Sequence, residues 1–173
     1  MKTLVPVLCF CVTSFASGLQ DVTQPPPEAH VLHSALGVGV QVYICQASAA
    51  DFRWTLLEPK ADLVDAATKQ VVGTHIKGPT WTWNDRSSVV GTVLQQRPSP
   101  GTVPWLLLAG HSVGSQGSLS DVAYIRRSDT QGGVPAATAL CNADSAHTRL
   151  EVPYKATYTF YTMQAAVHPG KAQ

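Results

Sequence analysis

The sequence predicts an all-β fold: a single-domain antiparallel β-sandwich or barrel with little helix. Apolar residues recur at every second position in the segments 38–45 and 154–161, which is the period of a β-strand. Clusters of Gly, Pro, Asn and Asp separate the short apolar runs, as turns separate the strands of hairpins. No segment after residue 18 sustains the 3.6-residue apolar period of a helix.

The first strand is predicted to begin at Val38, because valine or isoleucine occupies each even position through residue 44 and places Cys45 on a strand. Residues 19–37 are predicted to form a proline-rich leader. The three prolines at 25–27 favour an extended polyproline conformation and offer no backbone donor to a sheet. The β domain itself is predicted to span residues 38–165 and to be followed by a tail, residues 166–173.

A second strand is predicted at residues 52–57 and is expected to end at Glu58-Pro59, since the residue before proline is conformationally restricted. Further strands, each bounded by a turn, are predicted at residues 73–77, 81–83, 89–94, 103–109 and 122–126. The last strand is the most regular: the side chains of Tyr154, Ala156, Tyr158 and Phe160 lie on one face, which we expect to be buried.

Size, composition and charge exclude several classes of function. The 173 residues correspond to one domain, and only 13% are charged, against about a quarter in typical proteins. The net charge is +1 and no basic run occurs, so neither nucleic acid nor an acidic membrane surface is an expected partner. No Gly-x-Gly-x-x-Gly turn lies between a strand and a helix, which excludes a nicotinamide enzyme.

Residues 1–18 are predicted to be a signal peptide, with Lys2 ahead of an apolar run over 4–15 and small residues suited to cleavage after it. The run is about a dozen residues long, whereas a membrane span needs about 20, so membrane insertion is not expected. The protein is therefore predicted to be exported, to the periplasm or the cell exterior.

Two cysteines, Cys45 and Cys141, remain after the predicted cleavage. In an oxidising compartment such a pair is expected to form a disulfide, and a loop of this length would stabilise the fold by about 4 to 5 kcal/mol in the chain-entropy model. The alternative is two buried, inert thiols. The distance between the two Cα atoms decides between them.

Several blocks of sequence occur in a fixed order: GVQVYIC at 39–45, GTH at 73–75, GPTW at 78–81, PWLLL at 104–108, IRR at 125–127, TQGGVP at 130–135 and VPYKATYTFY at 152–161. In these blocks the chain resembles a family of exported bacterial and fungal proteins that contain a domain of unknown function. The resemblance covers most of the chain after the predicted signal peptide. It implies an exported β domain with a bridge between the two cysteines, and it implies no activity and no catalytic residue.

The chain departs from the family pattern in one turn. Members of the family favour Asp-Gly-Ser after the tryptophan, whereas this chain has Asp85-Arg86-Ser87. A turn that needs a positive φ at position 86 would be strained by arginine.

A metal site is one candidate function, because His75, Trp81 and Asp85 could converge across a hairpin. Zinc or copper would need a further histidine or carboxylate, which the sequence does not identify. Of the six histidines only His30 and His33 are close in sequence, and exposed loop histidines are the favoured interpretation of that pair. No metal or other cofactor is predicted.

Binding through aromatic rings is a second candidate, because Trp81 and Trp83 share one face of a strand and such rings can stack on sugars. The alternative is that both rings fill the core. A hydrolase is a weaker candidate, since the serine-rich loop at 114–118 lacks the Gly-x-Ser-x-Gly spacing.

The sequence therefore predicts an exported, non-catalytic binding or structural module, whose ligand would be an unknown small molecule or glycan such as cell-envelope carbohydrate. The candidate ligand-binding residues are His75, Trp81, Trp83 and Asp85. The alternative function is a small secreted metalloprotein or hydrolase with its site near His75, Trp81 and Asp85.

Overall fold

The structure is a computed structural model that describes residues 21–49, 51–76 and 78–164. The predicted signal peptide and the predicted C-terminal tail lie outside these residues. Eight strands follow one another as antiparallel neighbours, and the last pairs with the first, so the sheet closes into a barrel. The predicted all-β class is confirmed. The strands are β1 His30–Ser48, β2 Asp51–Val64, β3 Val71–Ile76, β4 Thr80–Trp83, β5 Ser87–Arg97, β6 Trp105–Gly114, β7 Tyr124–Gly132 and β8 Arg149–Thr162.

Strand β1 begins at His30, earlier than the predicted start at Val38. Residues His30 to Gly37, assigned to the leader by sequence, pair with the C-terminal half of β8, from His30 opposite Thr162 onwards. Alternation of apolar residues is weak in this stretch because both histidines and Ser34 interrupt it. Closure of the barrel, a long-range contact, therefore determines where the strand starts.

Strand β2 continues through Pro59 to Val64, so the prediction that it ends at Glu58-Pro59 was wrong. Pro59 lies opposite Gln41 on β1, while β3 pairs with β2 only from Ala61 to Val64. This part of β2 thus has a free edge, where a residue without an N–H is tolerated. One register shift, opposite Val42 and Tyr43, accommodates the local bend.

The inward faces of the strands form a single aromatic core. On β8 the predicted face is confirmed, because Tyr154, Ala156, Tyr158 and Phe160 are all buried. Glycine on the opposing strand gives these rings room: a Cβ on Gly37 would lie 2.5 Å from the ring of Tyr158. A small residue on β1 therefore allows a large one on β8.

The barrel has two ends of different construction. At the end that we call the closed end, the β6–β7 connection folds inward and buries Leu119 completely. The opposite end, which we call the open end, carries the β1–β2, β3–β4, β5–β6 and β7–β8 connections. Among the described residues no helix is long and apolar enough to cross a membrane.

The disulfide predicted between Cys45 and Cys141 is confirmed, with a Cα–Cα distance of 5.5 Å. It attaches the long β7–β8 connection to the end of β1, at the open end. Trp54 on β2 adds a hydrogen bond from its indole Nε1 to the carbonyl of Ala139, 3.0 Å away. The alternative of two free thiols does not hold.

Candidate ligand-binding site

A cavity of about 260 Å³ enters the barrel at its open end. It exists because the β3–β4 hairpin is short: β3 ends at Ile76 and β4 begins at Thr80, while the flanking strands β2 and β5 extend further. The hydrogen-bonded ladders to this hairpin cover only residues 61–64 of β2 and residues 88–90 of β5. A notch therefore remains between the extended parts of β2 and β5.

The rim of the cavity is apolar. Leu56 on β2 and Val93 on β5 are 49% and 50% exposed, and Pro79 at the tip of the short hairpin lies between them. Half-exposed aliphatic side chains around an opening favour contact with an apolar part of a ligand.

The inner wall of the same cavity is polar and includes Gln41, His75 and Arg127. Gln41 lies on the inward face of β1 and is only 1% exposed. Its amide nitrogen Nε2 is buried and has no hydrogen-bond partner among the described residues. A buried donor without a partner costs about 1 to 3 kcal/mol, so such groups are rare in folded proteins.

Arg127 points into the barrel because it shares a face of β7 with Ile125, which is fully buried in the core. Its Nε donates a hydrogen bond to the carbonyl of Pro104 at 3.0 Å. No carboxylate of the described residues lies within 4.0 Å of its nitrogens. The guanidinium therefore lies inside the barrel without a counter-charge in contact.

Three tyrosines share this interior. Tyr43 donates its hydroxyl hydrogen to the carbonyl of Gly133 at 2.6 Å, and the hydroxyls of Tyr154 and Tyr158 lie 3.3 Å apart. Burial raises the pKa of all three, and the nearby positive charge of Arg127 opposes that rise. The phenols therefore stay neutral, and none of them supplies a counter-ion for Arg127.

His75 stacks flat on Trp81, with ring centroids 4.4 Å apart and planes 3° from parallel. Burial, and to a smaller extent the charge of Arg127, lower the pKa of His75 to about 4, and the hydrogen bond to the Thr80 carbonyl opposes both effects. The ring is consequently neutral at pH 7. Because Nδ1 lies 3.0 Å from that carbonyl, Nδ1 carries the proton and Nε2 is left as an acceptor.

The structure brings together only part of the predicted site. Trp81 is 1% exposed and belongs to the core beside His75. Trp83 is partly buried further along β4, where it packs on Phe160 and stacks on His33 at 5.2 Å. Asp85 lies in the turn between β4 and β5, at the closed end, where its carboxylate accepts a hydrogen bond from the N–H of Ser118, away from His75.

Asp85 has a structural arrangement of its own. Its Oδ1 accepts hydrogen bonds from the backbone N–H and the hydroxyl of Ser87, and Oδ2 accepts one from the N–H of Ser118. These bonds, those from Ser87 first, hold the pKa of the carboxyl well below its usual range. Arg86 does adopt a positive φ, 71°, so the conformation that glycine would favour in this turn is present with arginine.

His33 is not a loop histidine, contrary to the favoured interpretation of the sequence. It lies on β1, partly buried, with Nε2 3.0 Å from the carbonyl oxygen of Ser118. No group of three or more histidine, cysteine, aspartate or glutamate side chains forms a possible metal cluster within the described part of the chain.

Gln41 and Arg127 were missed by sequence reasoning, although both carry a faint signal. Each lies at an inward position by the two-residue period, Gln41 between Gly39 and Tyr43 and Arg127 two residues after Ile125. Which face of each strand points inward depends on barrel closure. Without that knowledge, Arg127 cannot be distinguished from its outward neighbour Arg126.

The chain belongs to a protein family. Residues 25–162 match the sequence profile of the family described as a protein of unknown function, DUF3455. The match covers well over half of the chain and includes all eight strands of the barrel, from the start of β1 at His30 to the end of β8 at Thr162. No curated protein and no solved structure gives a significant match.

Proposed function

We propose that this chain is a non-catalytic binding module that takes a small molecule into the open end of its barrel. One observation carries the proposal: a buried amide without a partner and an arginine without a counter-charge line the same cavity behind an apolar rim. A fold selected only for stability would replace such groups with apolar ones, which is often neutral or stabilising. A polar ligand group would supply the missing partners.

The size of the cavity supports a small ligand, or the inserted end of a larger one. Its volume of about 260 Å³ is just below the usual range of about 300 to 1,000 Å³ for small-molecule sites. An apolar rim with a few converging polar groups is also the usual composition of such sites.

We infer that the module acts outside the cytoplasm. The bridge between Cys45 and Cys141 supports an oxidising compartment, and the predicted signal peptide agrees with export to the periplasm or the cell exterior. Cell-envelope carbohydrate stays a candidate ligand through polar contacts in the cavity. Stacking of a sugar on Trp81 finds no support, since the ring is buried against His75.

A fragment screen by ligand-observed NMR tests the proposal, with Val93→Trp as the variant that narrows the opening. The matched control is Val71→Trp, because Val71 is also half-exposed, at 47%, but lies at the start of β3 on the closed end. We expect fragments that bind the wild type to lose at least tenfold in affinity with Val93→Trp and to keep it with Val71→Trp. No binding fragment, or equal loss in both variants, would overturn the proposal.

A further inference from the structure

We propose that the ligand carries a single carboxylate, which binds Arg127 and Gln41, on an apolar chain or ring that leaves through the rim. The inference rests on the proposed function and names the chemical class of its ligand. It follows from four properties of the cavity: an unpaired cation, a converging amide donor, the net charge and the apolar exit.

The unpaired cation is best seen against its neighbour on the same strand. Arg126, on the outward face of β7, donates from Nη2 to the carboxylate of Asp21 at 2.7 Å. Arg127, on the inward face, has only neutral partners: its Nε donates to the carbonyl of Pro104, and its guanidinium also interacts with the hydroxyl of Tyr158. A guanidinium removed from water is costly unless it is paired, and it binds carboxylates through two parallel hydrogen bonds.

The second donor belongs to Gln41. Its Nε2 has no partner among the described residues, and the side chain lines the same cavity as Arg127. The unpartnered amide and the guanidinium are both hydrogen-bond donors, so the matching ligand group is an acceptor with more than one oxygen. The third polar side chain, His75, is neutral and does not compete as a charge.

The charge of the cavity disfavours a dianion. Besides Arg127, the lining residues include one carboxylate, that of Glu58, which makes no ion pair with a described residue and lies more than 4.0 Å from the Arg127 nitrogens. With one cation and one anion, the cavity has no excess positive charge to balance a phosphate dianion. Glu58 would weaken the binding of any anion by like-charge repulsion.

The volume of the cavity and its apolar rim indicate the size and the polarity of the rest of the ligand. A cavity of about 260 Å³ corresponds to roughly nine waters at about 30 Å³ each, and therefore to a ligand or inserted ligand part of similar size. The half-exposed side chains of Leu56 and Val93 lie at the exit and suit an aliphatic or aromatic body. A medium-chain or aromatic monocarboxylate fits these dimensions.

Isothermal titration with octanoate tests the inference, with 1-octanol and inorganic phosphate as the uncharged and the purely anionic probes. We expect octanoate to bind wild-type protein at least tenfold more tightly than either probe. Arg127→Met should reduce its affinity at least tenfold. Arg126→Met, the same substitution on the outward face, should leave it unchanged, and circular dichroism checks that each variant is folded.

The result that overturns the inference is equal binding of octanoate and 1-octanol, no binding of octanoate to the wild type, or an unchanged affinity in Arg127→Met. Equal binding that is still lost in Val93→Trp would leave the cavity as a binding site for uncharged molecules, and the proposed function would stand. Tighter binding of phosphate would assign the site to inorganic or phosphorylated anions instead. If Arg127→Met does not fold, Glu58→Gln decides: octanoate affinity should rise about twofold or more, and no rise overturns the inference.

Discussion

The two ends of this barrel differ in how their buried polar groups are paired. At the closed end a loop inserts Leu119 into the core, and both the N–H and the carbonyl of that residue are hydrogen-bonded. The N–H of Leu119 donates to the hydroxyl of Ser87 at 3.0 Å, and its carbonyl accepts from Ser112 at 3.3 Å. At the open end a cavity is lined by an amide donor without a partner and by a guanidinium without a carboxylate in contact. The comparison indicates that the closed end contributes stability, and it agrees with the proposal that the open end binds a ligand.

The largest expected effect is at the closed end. Leu119→Ala removes a fully buried side chain, and we expect it to lower the free energy of unfolding by about 2 to 5 kcal/mol, as for other leucines in packed cores. Urea denaturation followed by tryptophan fluorescence measures the change. Because the proposed binding site lies at the other end of the barrel, we expect the variant to retain its ligand affinity at temperatures where it is folded. A loss below about 1 kcal/mol would show that this loop only covers the end of the barrel.

The next largest effect is a dependence of the free energy of unfolding on pH, caused by His75 in the wall of the cavity. The pKa of His75 is about 4 in the folded state, against 6.5 unperturbed, so the unfolded chain binds more protons between these values. Stability should therefore be fully present above about pH 6.5 and should fall as the pH drops towards 4, by up to about 3 kcal/mol.

The control for this pH dependence is His75→Phe, which keeps a flat ring against Trp81 and cannot titrate. Between pH 7 and pH 4 its free energy of unfolding should fall by less than that of the wild type. Parallel curves for the two proteins would mean that other groups account for the acid sensitivity.

The smallest effect should have the opposite sign. Gln41→Met removes the unpartnered amide and keeps a side chain of similar length, so we expect the free energy of unfolding to rise by about 1 kcal/mol. Octanoate affinity should fall in the same variant. Thermal denaturation and titration on one sample measure both quantities. A destabilised Gln41→Met protein would indicate that the amide has a structural role.

The parts of the fold that the sequence predicted are those that depend on local alternation. The face of β8 with Tyr158 could be assigned because its period is unbroken over the whole strand. The start of β1 at His30 and the passage of β2 through Pro59 could not, because each depends on which neighbour pairs with the strand after the barrel closes. Closure is a property of the whole chain.

For the candidate site the same limit applies. The contact between His75 and Trp81 was within reach of the sequence, since the two residues are directly opposite in one short hairpin. Asp85 was expected to converge with them across a hairpin, but it lies in the turn after β4, at the other end of the barrel. Gln41 and Arg127 come from strands β1 and β7, and only the curvature of a closed sheet brings them to one cavity.

The length of the β3–β4 hairpin has a consequence for variation among related chains. The β3–β4 hairpin is shorter than the adjacent strands β2 and β5. A few residues added at Gly78-Pro79 would lengthen β3 and β4 and narrow the notch, without touching the core around Tyr158. Insertions at a surface turn are among the least disruptive changes that a protein accepts. A single insertion or deletion at that turn would therefore change the width of the cavity opening and leave the core intact, and under the proposed function ligand selectivity would evolve separately from folding.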